Sequence, residues 1–381
     1  MTARTVKDSG RVVRRLGRTG FKVTVLGLGG HTYPVGSSPD CFMPPETRSQ
    51  IVHHLVASGV NYFDTTWIHE VELLADSFRR ANIKEGVLVS IHGGCISDAQ
   101  WRQKLRQEIE SRLDILGYTN APLFITGVGD GDASYAEVVA ACETMRKLKE
   151  EKLIQNIGLS CHTISLFPVI SKVIRETDIL DYIMIRFNWK FQQANEELFP
   201  VAREHDVGIV VMKIFCWDCA PSQWERRISV FEPITRENRI EDIEYNSSLT
   251  PAQRNILWCI QNSPCDVVIP SMNTIREAEE NIQALRSINV KVGTDDFEKY
   301  SRRLWKKREI KSLALYAESK TIREIAENLL RLKRRRWHII IRTIRAHYRI
   351  LKNEGLKKYL LYSYNYRKGQ LFNQKKDPDL M

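Results

Sequence analysis

Eight short apolar runs recur along the chain, at 23–28, 61–64, 87–91, 122–126, 154–160, 182–187, 208–213 and 267–270. Each is apolar on both faces and is bounded by Gly, Asn, Asp or Pro. A strand with one wet face alternates apolar and polar residues, so runs of this kind belong to a parallel sheet covered on both sides. The stretches between them have helical spacing. Ile51, Val52, His54 and Leu55 share one side of 46–57, and Leu105, Ile109, Leu113 and Leu116 recur along 99–116. Val138, Val139, Cys142, Met145 and Leu148 do the same along 135–149. Eight strand–helix units predict an α/β fold, a (β/α)8 TIM barrel. A doubly wound sheet is the competing arrangement, but its glycine fingerprint is incomplete: Gly27, Gly29 and Gly30 open like GxGxxG, and Thr32 stands where the last glycine belongs. The stretch 214–250 has no clear periodicity and follows the seventh run, which suits a cover over a site at the catalytic end of a barrel.

Charge divides the chain in two. Residues 301–381 carry 23 Lys and Arg against 7 Asp and Glu, whereas residues 1–300 carry 34 against 39. The net charge of +11 therefore originates in the last segment, and any argument from charge to partner applies there alone. The expected organisation is a barrel over 1–300 followed by a basic helical extension over 301–381.

No apolar run approaches the roughly 20 residues of a membrane-spanning helix. The basic N-terminal residues have no apolar segment behind them, which argues against a secretory signal. Eight scattered cysteines, of which only Cys216 and Cys219 are closely spaced, fit free thiols in a reducing cytoplasm better than a disulfide framework.

The order of motifs resembles the aldo/keto reductase family. The segment from Arg14 to Gly30 is similar to that family's opening hairpin and first strand, and the segment from Gly59 to Thr65 to its second. Ile157 to Ser160, Ile185 to Asn188, and Val268 to Pro270 followed by Asn281 are similar to its fifth, sixth and eighth units. The likeness covers roughly 11–290 in the correct order. It implies a (β/α)8 barrel with an N-terminal hairpin, and reduction of a small carbonyl or imine by NADP or NAD in its reduced form.

The family's chemistry transfers only in part. The resemblance implies a Tyr proton donor tuned by a Lys, which an Asp pairs, beside a His. The Asp is kept as Asp64, but His69 stands at the Tyr position and His92 at the Lys position, and both histidines are expected to project from strand ends into the barrel mouth. Thr126, before Gly127, stands where the His is expected. Among cofactor positions Ser160 is kept, next to Cys161 instead of Asn. Met184 replaces a Gln, Met212 a stacking aromatic and Ile214 a Pro. Asn188, Ser271, Arg276 and Asn281 remain as candidate cofactor contacts, the last two for phosphate and adenine.

Two readings follow from these residues. In the first, an imidazole site replaces the Tyr/Lys pair, with His69 as proton donor or base, Asp64 orienting it and His92 assisting. Imidazole titrates near neutrality without help, so such a site can protonate a nascent alkoxide or amine. In the second, the barrel is redox-inactive. It then runs a dehydration or isomerisation, or serves as a non-catalytic scaffold whose mouth is filled by Trp67, Met184 and Met212. The spacings of Asp64, His69, His92 and His162 match no metal motif, and no metal site is expected.

In the extension, Ile322, Ile325, Leu329, Trp337, Ile340, Ile344, Tyr348 and Leu351 fall at helical spacing among arginines, with an aromatic run over 359–366 behind them. This pattern is compatible with packing on the barrel, with an anionic membrane surface, or with an acidic protein partner. No recognised nucleic-acid module accompanies the charge, which argues against nucleic acid. The expected location is the cytoplasm, with peripheral attachment to a membrane surface as the variant.

Overall fold

The computed structural model describes residues 6–8, 11–30, 43–129, 133–189, 191–215 and 249–292. The basic extension at 301–381, the pair Cys216 and Cys219, and most of the loop 214–250 lie outside the described residues. The barrel falls within the unit Met1–Lys299.

The chain opens with an antiparallel sheet of β1 (Val6–Asp8), β2 (Arg11–Arg15) and β3 (Lys22–Thr24). Seven strands then form one parallel sheet: β4 (Tyr62–Thr65), β5 (Leu88–Cys95), β6 (Leu123–Gly127), β7 (Ile157–Cys161), β8 (Tyr182–Arg186), β9 (Gly208–Met212) and β10 (Val267–Val268). Each pairs with its sequence neighbour in the order β4 to β10. The opening between β10 and β4 is filled by residues 25–29, which bridge Leu26 to Val268 and Leu28 to Phe63. Gly27 N–H donates to Val268 O, and Leu28 N–H to Tyr62 O, both at 2.9 Å. The eighth stave is therefore present, and the run expected over 23–28 is divided. Its first residues belong to the hairpin sheet and its remainder closes the barrel.

Helices clothe the outside: α1 (Pro45–Ala57), α2 (Ile68–Arg80), α3 (Trp101–Leu116), α4 (Tyr135–Glu150), α5 (Phe167–Glu176), α6 (Ala194–Glu197), α7 (Phe199–Glu204), α8 (Pro251–Asn262) and α9 (Ile275–Arg286). Proline in the first turn marks the start of α1, α5, α7 and α8, where its missing N–H has no helical partner to lose. The helix α4 begins with a reciprocal pair, Ser134 accepting from Glu137 N–H while Glu137 accepts from Ser134 N–H.

Two separate cores follow from strand alternation. Phe63, Val89, Ile91, Phe124, Leu159, Ile183, Val211 and Val268 face the helices. Tyr62, Leu123, Ile125, Tyr182, Met184, Val210, Met212, Val267 and Ile269 fill the lumen. The hairpin closes the lower end of that lumen with Leu16 and Val23. A Cβ at Gly208 would lie 2.8 Å from Leu16 Cδ1, so glycine at the start of β9 admits the plug. Arg15 ties the hairpin down with two bonds to the Asp206 carboxylate, at 2.7 and 2.8 Å. No helix among the described residues is long and apolar enough to cross a membrane.

Candidate active site

With the lower end plugged, the upper end, where the strands finish, is the place for chemistry. Alternation brings Asp64 of β4, His92 of β5 and Ser160 of β7 to that end of the lumen. His92 and Ser160 are both buried, and His92 Nε2 lies 3.2 Å from Ser160 Oγ. One expected catalytic residue thus meets one expected cofactor residue, although a whole strand separates them.

The strand between is β6, and its inward positions are Leu123, Ile125 and Gly127. Thr126 points to the other side, and its hydroxyl donates to the carbonyls of Gly93 and Gly94 at 3.1 and 3.2 Å. Thr126, which stands where the resemblance puts the His, is therefore turned away from the lumen. Gly127 is the residue there, and a Cβ on it would lie 3.6 Å from His92 Cε1. Residues of alternate strands share a layer of the lumen, so His92 and Ser160 meet beside this glycine.

Asp64 is buried, with Oδ1 lacking a hydrogen-bond partner among the described residues. Burial, reinforced by the nearby Glu70 charge, raises its pKa from the ordinary carboxylate range to about 7. The backbone N–H groups of Gly30 and Thr65 and the Lys213 ammonium oppose that rise. Glu70 is held in place by accepting from Thr66 N–H at 2.7 Å and Trp67 N–H at 3.1 Å, the turn that starts α2. Behind it Arg48 of α1 is almost fully enclosed. Its burial lowers the guanidinium pKa to about 10, against the pull of Glu70 and Asp64. Arg48, Glu70 and Lys213 did not figure among the residues expected from the sequence.

His69 is not at a strand end as expected but in the first turn of α2, half-exposed, its ring 5.5 Å from that of Trp67. The helix starts too soon after β4 for residue 69 to continue the strand. Trp67 is 39 % exposed on the rim, whereas Met184 and Met212 are buried in the lumen. The two methionines thus line the lumen, and the indole lies outside it on the rim.

The remaining expected cofactor residues are dispersed. Asn188 is buried and its amide is engaged by backbone, donating to Lys213 O at 3.0 Å and accepting from Phe191 N–H at 3.1 Å. Ser271 follows β10, close over Gly29, where a Cβ would come within 3.2 Å of its hydroxyl. Arg276 is exposed in the first turn of α9, while Asn281 is buried on the same helix, five residues and so roughly 140° further round. Among the described residues no three His, Cys, Asp or Glu side chains are grouped to hold a metal.

A parallel β/α barrel, plugged by a hairpin below and collecting its ionisable side chains above, is the class of protein that these features define. The family model for the aldo/keto reductase family matches residues 25–299, and the chain belongs to that family. Two relatives are Pyridoxine 4-dehydrogenase of Escherichia coli (strain K12), 21 % identical over 265 residues, and Probable aldo-keto reductase 1 of Glycine max, 23 % identical over 301. These alignments cover 65 % and 71 % of this chain, and 85 % and 83 % of the relatives. Among solved structures, an aldo-keto reductase from Klebsiella pneumoniae in complex with NADPH superimposes with a TM-score of 0.55 at 17 % identity, over 80 % of this chain and 96 % of that one. The holo form of an aldo-keto reductase from Bacillus halodurans gives 0.54 at 16 % identity, over 77 % and 95 %. At these identities the likeness to the solved structures is one of fold.

Proposed function

We propose that the chain is an NAD(P)H-dependent oxidoreductase for small carbonyl or imine substrates, with imidazole and carboxyl groups in place of the Tyr/Lys pair. The observation that carries this reading is the 3.2 Å contact of His92 with Ser160 at the open end of the lumen. It joins a group able to exchange protons near neutrality to the position that the family uses for the nicotinamide amide.

The side chains present fit such a cofactor at its two ends better than in its middle. Ser160 would meet the nicotinamide half, and Ser271, which follows β10, a phosphate. Arg276, exposed in the first turn of the twelve-residue helix α9, would meet a phosphate. When bound, the cofactor supplies hydride to the carbonyl or imine carbon. Asn188 is committed to backbone and so holds the mouth in shape instead of reading the cofactor.

His92 donates the proton that the nascent alkoxide or amine anion takes up, and Ser160 fixes the ring that does so. Asp64, with its pKa near neutrality, balances the imidazolium and returns a proton between turnovers. His69, from α2, reaches the rim beside Trp67 and shields the mouth from water.

Titration of the full chain with NADPH and with NADH, followed by fluorescence, tests cofactor use directly. Saturable quenching is expected, and its absence up to millimolar cofactor removes the reductase reading. NADPH oxidation is then followed with a panel of small aldehydes, including the 4-aldehyde of pyridoxine because of the Escherichia coli relative. The rate should break near pH 6–7 if imidazole is the acid. A break only near 10 excludes His92 from that role.

A further inference from the structure

Strand β8 ends on a charge. Tyr182 and Met184 fill the lumen, and the next residue on that face is Arg186, paired in register with Met212, itself a lumen residue. Met184 is paired with Ser160, so Arg186 stands one inward position beyond the level where Ser160 meets His92, roughly 6–7 Å further along the strand. The end of β8 therefore carries a guanidinium at the open end of the lumen.

That side chain is held by a ring and not by an acid. Its guanidinium carbon lies 4.1 Å from the centroid of the Phe191 ring, well inside the range of a cation–π contact. Phe191 is fixed in turn, its N–H donating to the Asn188 carbonyl at 2.9 Å and to the Asn188 side-chain oxygen at 3.1 Å. Asn188 is buried and donates its own amide at 3.0 Å to the carbonyl of Lys213, where the backbone is left-handed with φ of 59°. The loop after β8 is thus pinned to the end of β9, and it carries the ring on which Arg186 lies.

The arginines of the lower end are differently placed. Arg15 is bonded to the Asp206 carboxylate and Arg203 to that of Asp266, the latter at 2.6 Å. Arg186 is only part-exposed, its Nε is enclosed without an acceptor, and no carboxylate among the described residues pairs with it. A stack on an aromatic face occupies the face of the guanidinium and leaves its in-plane N–H groups for an oxyanion. A half-buried cation without a counter-ion is costly, and a ligand that supplies the missing charge relieves that cost.

We propose that Arg186 binds an anionic group of the substrate, a carboxylate or phosphate joined by a short chain to the carbonyl that faces His92. Two N–H groups of the fork donate to two oxygens of the anion, while Phe191 keeps the fork from swinging into water. The carbonyl half of this inference rests on the reductase reading above; the anion contact does not.

Turnover is compared in matched pairs, 4-oxobutanoate against butanal for carboxylate and glyceraldehyde 3-phosphate against glyceraldehyde for phosphate. The full chain should prefer the anionic member of at least one pair by about tenfold or more in kcat/KM, mainly through KM. Arg186→Met should bring that ratio close to one, and Arg186→Lys should keep part of it. Phe191→Ala, which keeps the charge and removes the stack, should fall between the wild type and Arg186→Met. Circular dichroism establishes folding, and if Arg186→Met does not fold, Arg186→Lys and Phe191→Ala carry the test. Binding is measured apart from chemistry by saturation-transfer NMR, with butanoate and butyl phosphate as probes and 1-butanol as the neutral control. A ratio that loss of Arg186 leaves unchanged, or a loss of NADPH affinity that lowers both members of a pair alike, overturns the proposal. Transfer to butanoate or butyl phosphate that depends on Arg186, in a protein that oxidises no NADPH, keeps the anion site and removes the reductase reading. NADPH oxidation with no anionic preference and no such transfer does the reverse.

Discussion

His92 of β5 and Ser160 of β7 share a hydrogen bond of 3.2 Å across an intervening strand. In a parallel barrel the inward side chains of one layer come from alternate strands, which is how residues of β5 and β7 reach one another. Here the strand between contributes Gly127, paired in register with Ser160, and the imidazole reaches over it. Glycine at 127 leaves space beside the imidazole that a methyl would just fill and a longer side chain would overfill.

Filling the gap tests this directly. A methyl at Gly127 would sit 3.5–3.7 Å from Gly94 O, His92 Cε1 and Cys95 Sγ, which is ordinary contact. Gly127→Ala should fold normally and keep activity within about tenfold. Gly127→Leu must push the imidazole aside, and kcat/KM should fall about 100-fold, the lower end of what a positioned acid contributes. Equal activity of the two variants would show that His92 need not reach Ser160.

Removing the imidazole separates chemistry from binding. His92→Ala should lower kcat by about 10²- to 10⁴-fold while the NADPH dissociation constant changes less than tenfold. Ser160→Ala should weaken cofactor binding more than His92→Ala does, and should lower kcat less. Stopped-flow reduction under single-turnover conditions, combined with fluorescence titration, distinguishes the two patterns. If both substitutions act only on affinity, the pair belongs to cofactor recognition alone.

The barrel is legible in the sequence because each strand is apolar on both faces, and the Pro residues at 45, 168, 200 and 251 announce helix starts. Legibility fails where a residue's direction depends on a backbone angle or on a distant partner. The segment 23–28 reads as one strand, yet its hydrogen bonds go first to β2 and then to β10 and β4. The start of α2 carries no Ser, Thr, Asp or Asn cap to reveal it; Glu70 reaches back to the N–H groups of Thr66 and Trp67 instead. This placed His69 on a helix rather than a strand end. Lys213 is hidden more deeply, since nothing about a lysine announces a left-handed backbone. Asp64 and His92, by contrast, follow from strand alternation once the strands are known.

Two glycines of the hairpin turn separate the effects of conformation and space. Gly17 and Gly20 both have positive φ, at 47° and 76°. A Cβ at Gly20 meets nothing within 4 Å, whereas one at Gly17 would lie 2.0 Å from Gly208 N, a backbone atom that cannot rotate away. Gly20→Ala should cost about 1 kcal/mol, the ordinary penalty of a left-handed residue. Gly17→Ala should cost about 3 kcal/mol or more, because the plug must leave the barrel floor or β9 must shift. Urea denaturation of the two variants measures the difference, and similar midpoints would mean that the hairpin does not seal the lumen.

The raised pKa of Asp64 also makes a stability prediction whose sign is fixed. The unfolded carboxyl titrates near 3.8 and the folded one near 7. Between those values the native state binds the proton that the unfolded state has lost, so stability must fall as pH rises through this window. The full loss, on the order of 4 kcal/mol for a shift of about three units, is reached above pH 7 and is absent below pH 4. Asp64→Asn keeps the shape and removes the titration. Denaturant unfolding at intervals from pH 4.5 to 8 should therefore show the wild type losing stability relative to Asp64→Asn, with most of the divergence complete by pH 7. Glu70, Arg48 and the other titrating groups are common to both proteins and largely cancel in the difference. Parallel curves would mean that Asp64 is solvated or paired in solution, and the mouth would then lack the near-neutral carboxyl that returns a proton to His92 between turnovers.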